Sequence, residues 1–324
     1  MNRVAAGAAL PYPAIEPYEN GLLDVESGQQ VYWEACGNPL GKPALFVHGG
    51  PGGGCSSHDR RLFDPARYRI ILFDQRGCGR SLPHAADRAD LSANSTGQLV
   101  SDMEALRRTL GVDRWLLLGG SWGAALALAY AEAHRERVSA LVLRGVFTAR
   151  DCEIRWLYRE GASFLFPDAW EQFAAPVAER ERGDLVAAYH RLLNCGDARL
   201  ERAAARAWCA WEDDISTLLP QPAASAPDDR ALLARARIET HYFVNRSFLE
   251  EGQLIANSVR IAGIAGVIVQ GRYDAVTPPA TAWQLHRAWP SSRLEIVADA
   301  GHASIEPGIR RGLVAATDEF ASLT

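Results

Sequence analysis

The 324-residue chain is 48% hydrophobic and 23% charged with a formal net charge of −5, which fits a globular protein large enough for one big domain carrying an insertion. The charge balance excludes a strongly basic surface of the kind that binds nucleic acid or an anionic membrane, and no window approaches the roughly 18 uninterrupted apolar residues of a membrane span. Gly7, Pro11, Pro13 and Pro17 break up the apolar start, so no secretory leader is expected, the protein is expected to be cytoplasmic, and a small neutral or cationic substrate suits it best.

In chain order, the first buried-strand pattern is ALFV at 44–47, followed at once by the glycine-rich stretch His48-Gly49-Gly50-Pro51-Gly52-Gly53-Gly54. RIILF at 69–73 is the second. Gln98 to Leu110 then places Leu99, Met103, Leu106 and Leu110 at helical spacing. WLLL at 115–118 is a third strand, running into GGSWG and an alanine- and leucine-rich helix from Trp122 to His134. ALVL at 140–143 is a fourth. Residues 151–248 contain helical runs and no strand-like run, while PQPAASAP at 220–227 is the one low-complexity stretch, expected to be a flexible loop. GVIVQ at 266–270 and LEIV at 294–297 resume the strand pattern. Strands alternating with helices predict a mostly parallel central sheet with helices on both faces, formed by 1–150 and 249–324, with 151–248 as an all-helical cap domain. The six cysteines are scattered with no C-x-x-C pair, so free thiols are expected. The eight histidines fall in no H-x-x-x-H or H-E-x-x-H spacing, so no metal site is expected.

Gly119, Ser121 and Gly123 match G-x-S-x-G in the setting that motif needs, a strand before and a helix after. Glycines there let strand and helix pack closely around a serine in strained geometry. An ordinary helix N-cap is the bland alternative, and the pentapeptide alone leaves both open. The partners favour catalysis: a serine nucleophile needs an imidazole to accept its proton and a carboxylate to orient that imidazole. Asp274 follows GVIVQ and His302 follows LEIV, in the chain order Ser, Asp, His, each just past a predicted strand. The developing oxyanion needs backbone N–H donors, expected from Trp122, after the nucleophile, and from the glycine loop, where Gly50 is favoured. HGGPGGGCS fits neither phosphate-loop pattern.

HGGPGGG, FDQRGCGRS at 73–81, GGSWG, LRGVF at 143–147, WCAWE at 208–212, STLLP at 216–220, ARIETHYF at 236–243, GRYD and DAGH together closely resemble the proline iminopeptidases, also called prolyl aminopeptidases, of the α/β-hydrolase fold. The resemblance runs from about Tyr18 to the end. It implies a serine exopeptidase that uses no metal or other cofactor and acts on small peptides with an N-terminal proline. It also implies that Glu212 and Glu239, in motifs rich in aromatics, hold the substrate's ammonium by charge-assisted hydrogen bonds. Phe147 and Phe243 are nominated as walls for the pyrrolidine ring, and either could equally be core packing. A neutral His302 and a charged amine together predict an activity plateau or maximum somewhat above neutral pH.

Two places depart from the family pattern: Gly97 stands where a tryptophan is usual, and the segment from Cys152 to Leu157 is unfamiliar. An esterase or broad amidase is the alternative inside the same fold, disfavoured because a neutral substrate gains nothing from two buried acids. A non-catalytic binding protein would usually lack a member of the triad, and none is missing. Dehalogenase or epoxide hydrolase chemistry would need an acid where Ser121 stands.

Overall fold

The computed structural model describes residues 11–87, 90–220 and 228–322; stretch 221–227 of the expected loop lies outside the described residues, as do Gly7 and the rest of the first ten. Eight strands form one sheet: β1 (Glu19–Val25), β2 (Gln29–Gly37), β3 (Lys42–Val47), β4 (Tyr68–Phe73), β5 (Trp115–Ser121), β6 (Val138–Val146), β7 (Ala265–Gly271) and β8 (Ser292–Val297). Their order is β1-β2-β4-β3-β5-β6-β7-β8. The last six pair in parallel, and β1 and β2 add an antiparallel edge.

The six parallel strands are those expected from their apolar runs, since a strand covered on both faces can be apolar throughout. Alternate residues supply opposite faces. Ile71, Phe73, Trp115 and Leu117 join one apolar core; Ile70, Leu72, Leu116 and Leu118 join the other. β1 and β2 carry no such run for different reasons: β1 is the edge strand, and along ENGLLDV no residue is buried, whereas β2, paired on both sides, is interrupted by Glu34, buried against Arg60 and Arg80. Parallel pairing requires crossovers, and helices provide most of them. These include α1 (Thr96–Thr109), begun by Ser95, whose hydroxyl accepts from the Gln98 N–H, and α2 (Trp122–Ala133), an alanine-rich helix buried almost all round.

Between β6 and β7 the described chain contains helices and no strand: α3 (Asp151–Tyr158), α4 (Ala162–Leu165), α5 (Pro167–Ala174), α6 (Leu185–Leu192), α7 (Ala198–Asp214), α8 (Asp229–Val244) and α9 (Gln253–Ala256). Asp197 and Asp228 cap α7 and α8 through their side chains. An aromatic cluster joins the helices, with Phe173 stacked on Tyr189 at 4.8 Å and on Trp211 at 5.5 Å between ring centroids. The chain closes with α10 (Pro279–Ala288) and α11 (Pro307–Ala321) around β7 and β8, each with proline in its first turn. All six cysteines are free thiols.

Candidate active site

β5 runs directly into α2 with Ser121 at the joint, its backbone at φ 58° and ψ −126°. A non-glycine residue rarely adopts a positive φ, and the turn persists because strand and helix are locked in the core on either side. The flanking glycines are steric necessities. A Cβ on Gly119 would lie 2.2 Å from the Gly123 carbonyl oxygen, and one on Gly123 would lie 2.1 Å from that of Val47. Ser121 occupies the N-cap position, yet its hydroxyl makes no capping hydrogen bond, so the ordinary capping role does not explain it.

Asp274 follows β7, His302 follows β8, and the two meet at this same edge, with His302 Nδ1 2.9 Å from Asp274 Oδ2. Five hydrogen bonds converge on the carboxylate. Oδ2 also accepts from Gln270 Nε2 and the Thr277 hydroxyl, each at 2.9 Å, and Oδ1 accepts from the backbone N–H groups of Val276 and Thr277. Gln270 is fully buried and its Oε1 accepts from the Val146 N–H, tying the Asp274 loop to the end of β6.

The sequence reading assigned no role to Arg144, on β6. Its Nη1 lies 2.8 Å from His302 Nε2 and 3.1 Å from the His302 carbonyl oxygen. A guanidinium only donates, so Nε2 accepts and the ring proton sits on Nδ1, toward Asp274. Among the described residues no hydrogen bond joins Ser121 Oγ to His302; Arg144 holds the nitrogen which that expected link requires. Burial lowers the Arg144 pKa, with Asp274 opposing it, and its Nε is buried without a partner. The signal was present in the sequence as a lone cation inside the apolar strand VSALVLRGV.

The glycine loop after β3 turns back on itself, with the Gly53 N–H donating to the Gly49 carbonyl. At Gly50, φ is 114° and a Cβ would fall 2.7 Å from the Gly52 nitrogen. Gln75, in FDQRG, fastens this loop to the helix after Ser121: its N–H donates to His48 Nε2, its side chain donates to the His48 carbonyl, and its Oε1 accepts from Trp122 Nε1, each at 2.9 Å. Burial lowers the His48 pKa, which suits its role here as a neutral acceptor. The two segments expected to supply oxyanion donors are thereby joined through one buried amide.

Glu212 near the end of α7 and Glu239 on α8 come together as a buried pair, 8% and 0% exposed. Glu239 Oε2 accepts from Trp208 Nε1 at 2.5 Å, Glu212 accepts from the Tyr158 hydroxyl, and Arg235 donates to both carboxylates. Burial and the Glu212 charge push Glu239 up to about 8 despite Arg235. Rings surround the pair: Tyr158 stacks on Trp208 at 4.5 Å and lies 5.5 Å from Phe243, whose ring meets Phe147 edge-on at 6.1 Å. Phe147 and Phe243 are thus in edge-to-face contact with each other. Within the unfamiliar segment Cys152 is exposed, and the contact with the acids comes instead from Tyr158, the next residue along α3 after Leu157. At exposed Gly97 a Cβ would meet nothing within 4 Å, so the missing tryptophan leaves no gap in the fold.

Comparison with known proteins agrees with this architecture. Residues 42–308 match the family model of the α/β hydrolase fold. The chain is 52% identical to the proline iminopeptidase of Xanthomonas citri, over 96% of this chain and 99% of that one. It is 51% identical to that of Xylella fastidiosa (95% and 98%) and 49% identical to that of Arabidopsis thaliana (96% and 82%). Among solved structures, an esterase from Exiguobacterium antarcticum aligns with a TM-score of 0.61 at 20% identity, over 93% of this chain and 99% of that one, a likeness of fold. The chain belongs to the proline iminopeptidase family of the α/β hydrolase fold.

Proposed function

We propose that the protein releases N-terminal proline from peptides through a prolyl-enzyme ester on Ser121, with residues 151–248 acting as a helical cap that holds the substrate's amine. The observation that carries this reading is the buried acid pair, Glu212 and Glu239, enclosed by Tyr158, Trp208 and Phe243. Two carboxylates in one apolar enclosure need a cation or a proton, and the secondary ammonium of an N-terminal proline supplies a cation on an apolar ring. Phe147 and Phe243, in contact with each other, then form adjoining walls for the pyrrolidine.

With the amine held, Ser121 Oγ attacks the prolyl carbonyl carbon and its proton passes to His302 Nε2 once Arg144 has released that nitrogen. The oxyanion faces the N–H groups of Gly50 and Trp122. Collapse breaks the C–N bond as His302 returns the proton to the leaving amine. Water, deprotonated by His302, then attacks the ester and regenerates Ser121, while Asp274 stabilises the imidazolium in both halves. A cap that seats the ammonium against buried acids admits no residue ahead of the proline, which makes the cleavage exopeptidic.

The test compares proline p-nitroanilide with a simple acetate ester, in wild type and in Glu212→Gln. Loss of amide cleavage in the variant with ester cleavage retained supports amine recognition. Wild type that cleaves the ester and leaves the proline amide intact overturns the assignment in favour of an esterase.

A further inference from the structure

The four oxygens of the acid pair are already engaged in the free protein, and by donors of two kinds. Tyr158 and Trp208 hold one oxygen on each glutamate; both donors are neutral and fixed by ring packing. Arg235 holds the other two. Its Nε donates to Glu239 Oε1 at 3.0 Å and its Nη2 donates to Glu212 Oε2. A single guanidinium therefore spans the two carboxylates, where an ammonium serving both would sit.

We infer that Arg235 is a resident competitor for the amine subsite, occupying Glu212 and Glu239 until a substrate ammonium displaces it. This rests on the amine-binding role proposed above and adds the residue that sets its affinity. Of the three charged side chains, Arg235 has the route out: counting side-chain atoms alone it is 24% exposed, against 10% for Glu212 and 0% for Glu239. Its third nitrogen, Nη1, already lies 3.2 Å from Asp213 Oδ1, and Asp213 is 64% exposed. That outer carboxylate gives the displaced guanidinium a partner in solvent. Burial opposes the Arg235 charge, but Glu239 and Glu212 more than offset it and hold its pKa well above the usual value. Because two bare charges in this enclosure are costly, some cation or proton must always be present. Exchange of guanidinium for ammonium keeps the count of buried charges unchanged, which makes displacement feasible without ionising anything new. Its consequence is a substrate affinity weaker than the acid pair alone would give.

The experiment is calorimetric titration with pyrrolidine hydrochloride at pH 8.5, on wild type and on Arg235→Met, Arg235→Gln and Arg235→Lys. The ligand carries the ring and the charge and has no scissile bond, so the reading does not depend on turnover. Arg235→Met and Arg235→Gln should bind at least fivefold more tightly, and Arg235→Lys should stay within threefold of wild type. Two uncharged substitutions are used so that misfolding of one leaves the other to decide. Unchanged or weaker binding in the uncharged variants overturns the inference, as does tightening of the same size in Arg235→Lys. If the wild type fails to cleave proline amides while Arg235→Met still tightens on pyrrolidinium, the peptidase proposal falls and the competitor role stands.

Discussion

Replacing Thr277 by valine removes one hydroxyl from around the Asp274 carboxylate and keeps the shape of the side chain. Thr277 is 3% exposed, and its hydroxyl lies 2.9 Å from Asp274 Oδ2 and 3.1 Å from His302 Nδ1. Its backbone N–H, 2.7 Å from Oδ1, survives the change, so four of the five hydrogen bonds to the carboxylate remain and no buried charge is left bare. A hydrogen bond to a charged group contributes about 1.5–3 kcal/mol. The remaining donors can absorb part of the loss, which leaves about 1–2 kcal/mol. In the proposed mechanism Asp274 stabilises the imidazolium that forms only as Ser121 gives up its proton, so this loss falls on the barrier. At 1.36 kcal/mol per tenfold, kcat should drop by roughly five- to thirtyfold. KM should move little, because among the described residues Thr277 has no hydrogen bond to the acid pair, and the ring is proposed to be lined by Phe147 and Phe243 instead. The assay is steady-state hydrolysis of proline p-nitroanilide by wild type, Thr277→Val and Thr277→Ser, with serine restoring the rate because it restores the hydroxyl. Wild-type kcat in Thr277→Val, or a serine variant as slow as the valine one, would refute the positioning argument.

Two further substitutions probe the surroundings. At Gly145, where φ is 51°, a Cβ would lie 2.7 Å from His302 Cε1 and 2.8 Å from its Nδ1; Gly145→Ala should therefore push the imidazole off Asp274 and lower kcat on the order of a hundredfold, the size of a positioning error of about an ångström, and full activity in a folded variant would show that the loop yields instead. Glu132 is raised from 4.5 to about 7 by burial, only partly opposed by a hydrogen bond from Asn257. Its folded value exceeds the unfolded one, so its stabilising contribution is present at low pH and lost as pH rises through about 7. Glu132→Gln should remove that loss and be more stable than wild type at pH 8.5 by on the order of 1–2 kcal/mol once solvent screening is allowed for, with the two converging near pH 5; urea denaturation that gives parallel pH curves would contradict it.

What the sequence revealed and what it hid follow from the same physics. Apolar runs marked the six parallel strands because both faces of each are covered, and the glycines around Ser121 were legible because close packing of strand and helix leaves no room for side chains. β1 escaped because it is an edge strand in which no residue is buried, and β2 because the buried Glu34 interrupts its apolar residues. Asp274 and His302, which the structure brings together, were readable as candidates from strand ends and chain order. Gln75, Gln270 and Thr277 were not, since a buried amide or hydroxyl declares its role only through partners far along the chain: Gln75 reaches Trp122, 47 residues on, and Gln270 reaches the Val146 N–H across 124. Glu212 and Glu239 are nominated by the family resemblance, with their aromatic neighbours in support, but nothing in that resemblance points to their shared partner Arg235, which stands four residues before Glu239 on the same helical face.

Arg144 and Arg235 present one problem in two settings. The site as proposed, with a proton acceptor and an ammonium subsite, has when empty exposed acceptors in a poorly solvated place, and such acceptors draw the nearest donor. His302 Nε2 draws Arg144, and the acid pair draws Arg235. The two arginines differ in how firmly they are held. Arg235 has carboxylates on all three of its nitrogens, whereas among the described residues Arg144 donates only to the imidazole and carbonyl of His302, with burial working against its charge. Arg144 is thus the easier to dislodge, and the hydroxyl of Ser121 need only offer Nε2 a donor that costs less desolvation. Release at the acid pair needs a full positive charge in exchange. On this reasoning the ammonium, rather than the scissile bond, is what the free protein selects for, and a neutral ester that reaches Ser121 without a cation leaves Arg235 where it is.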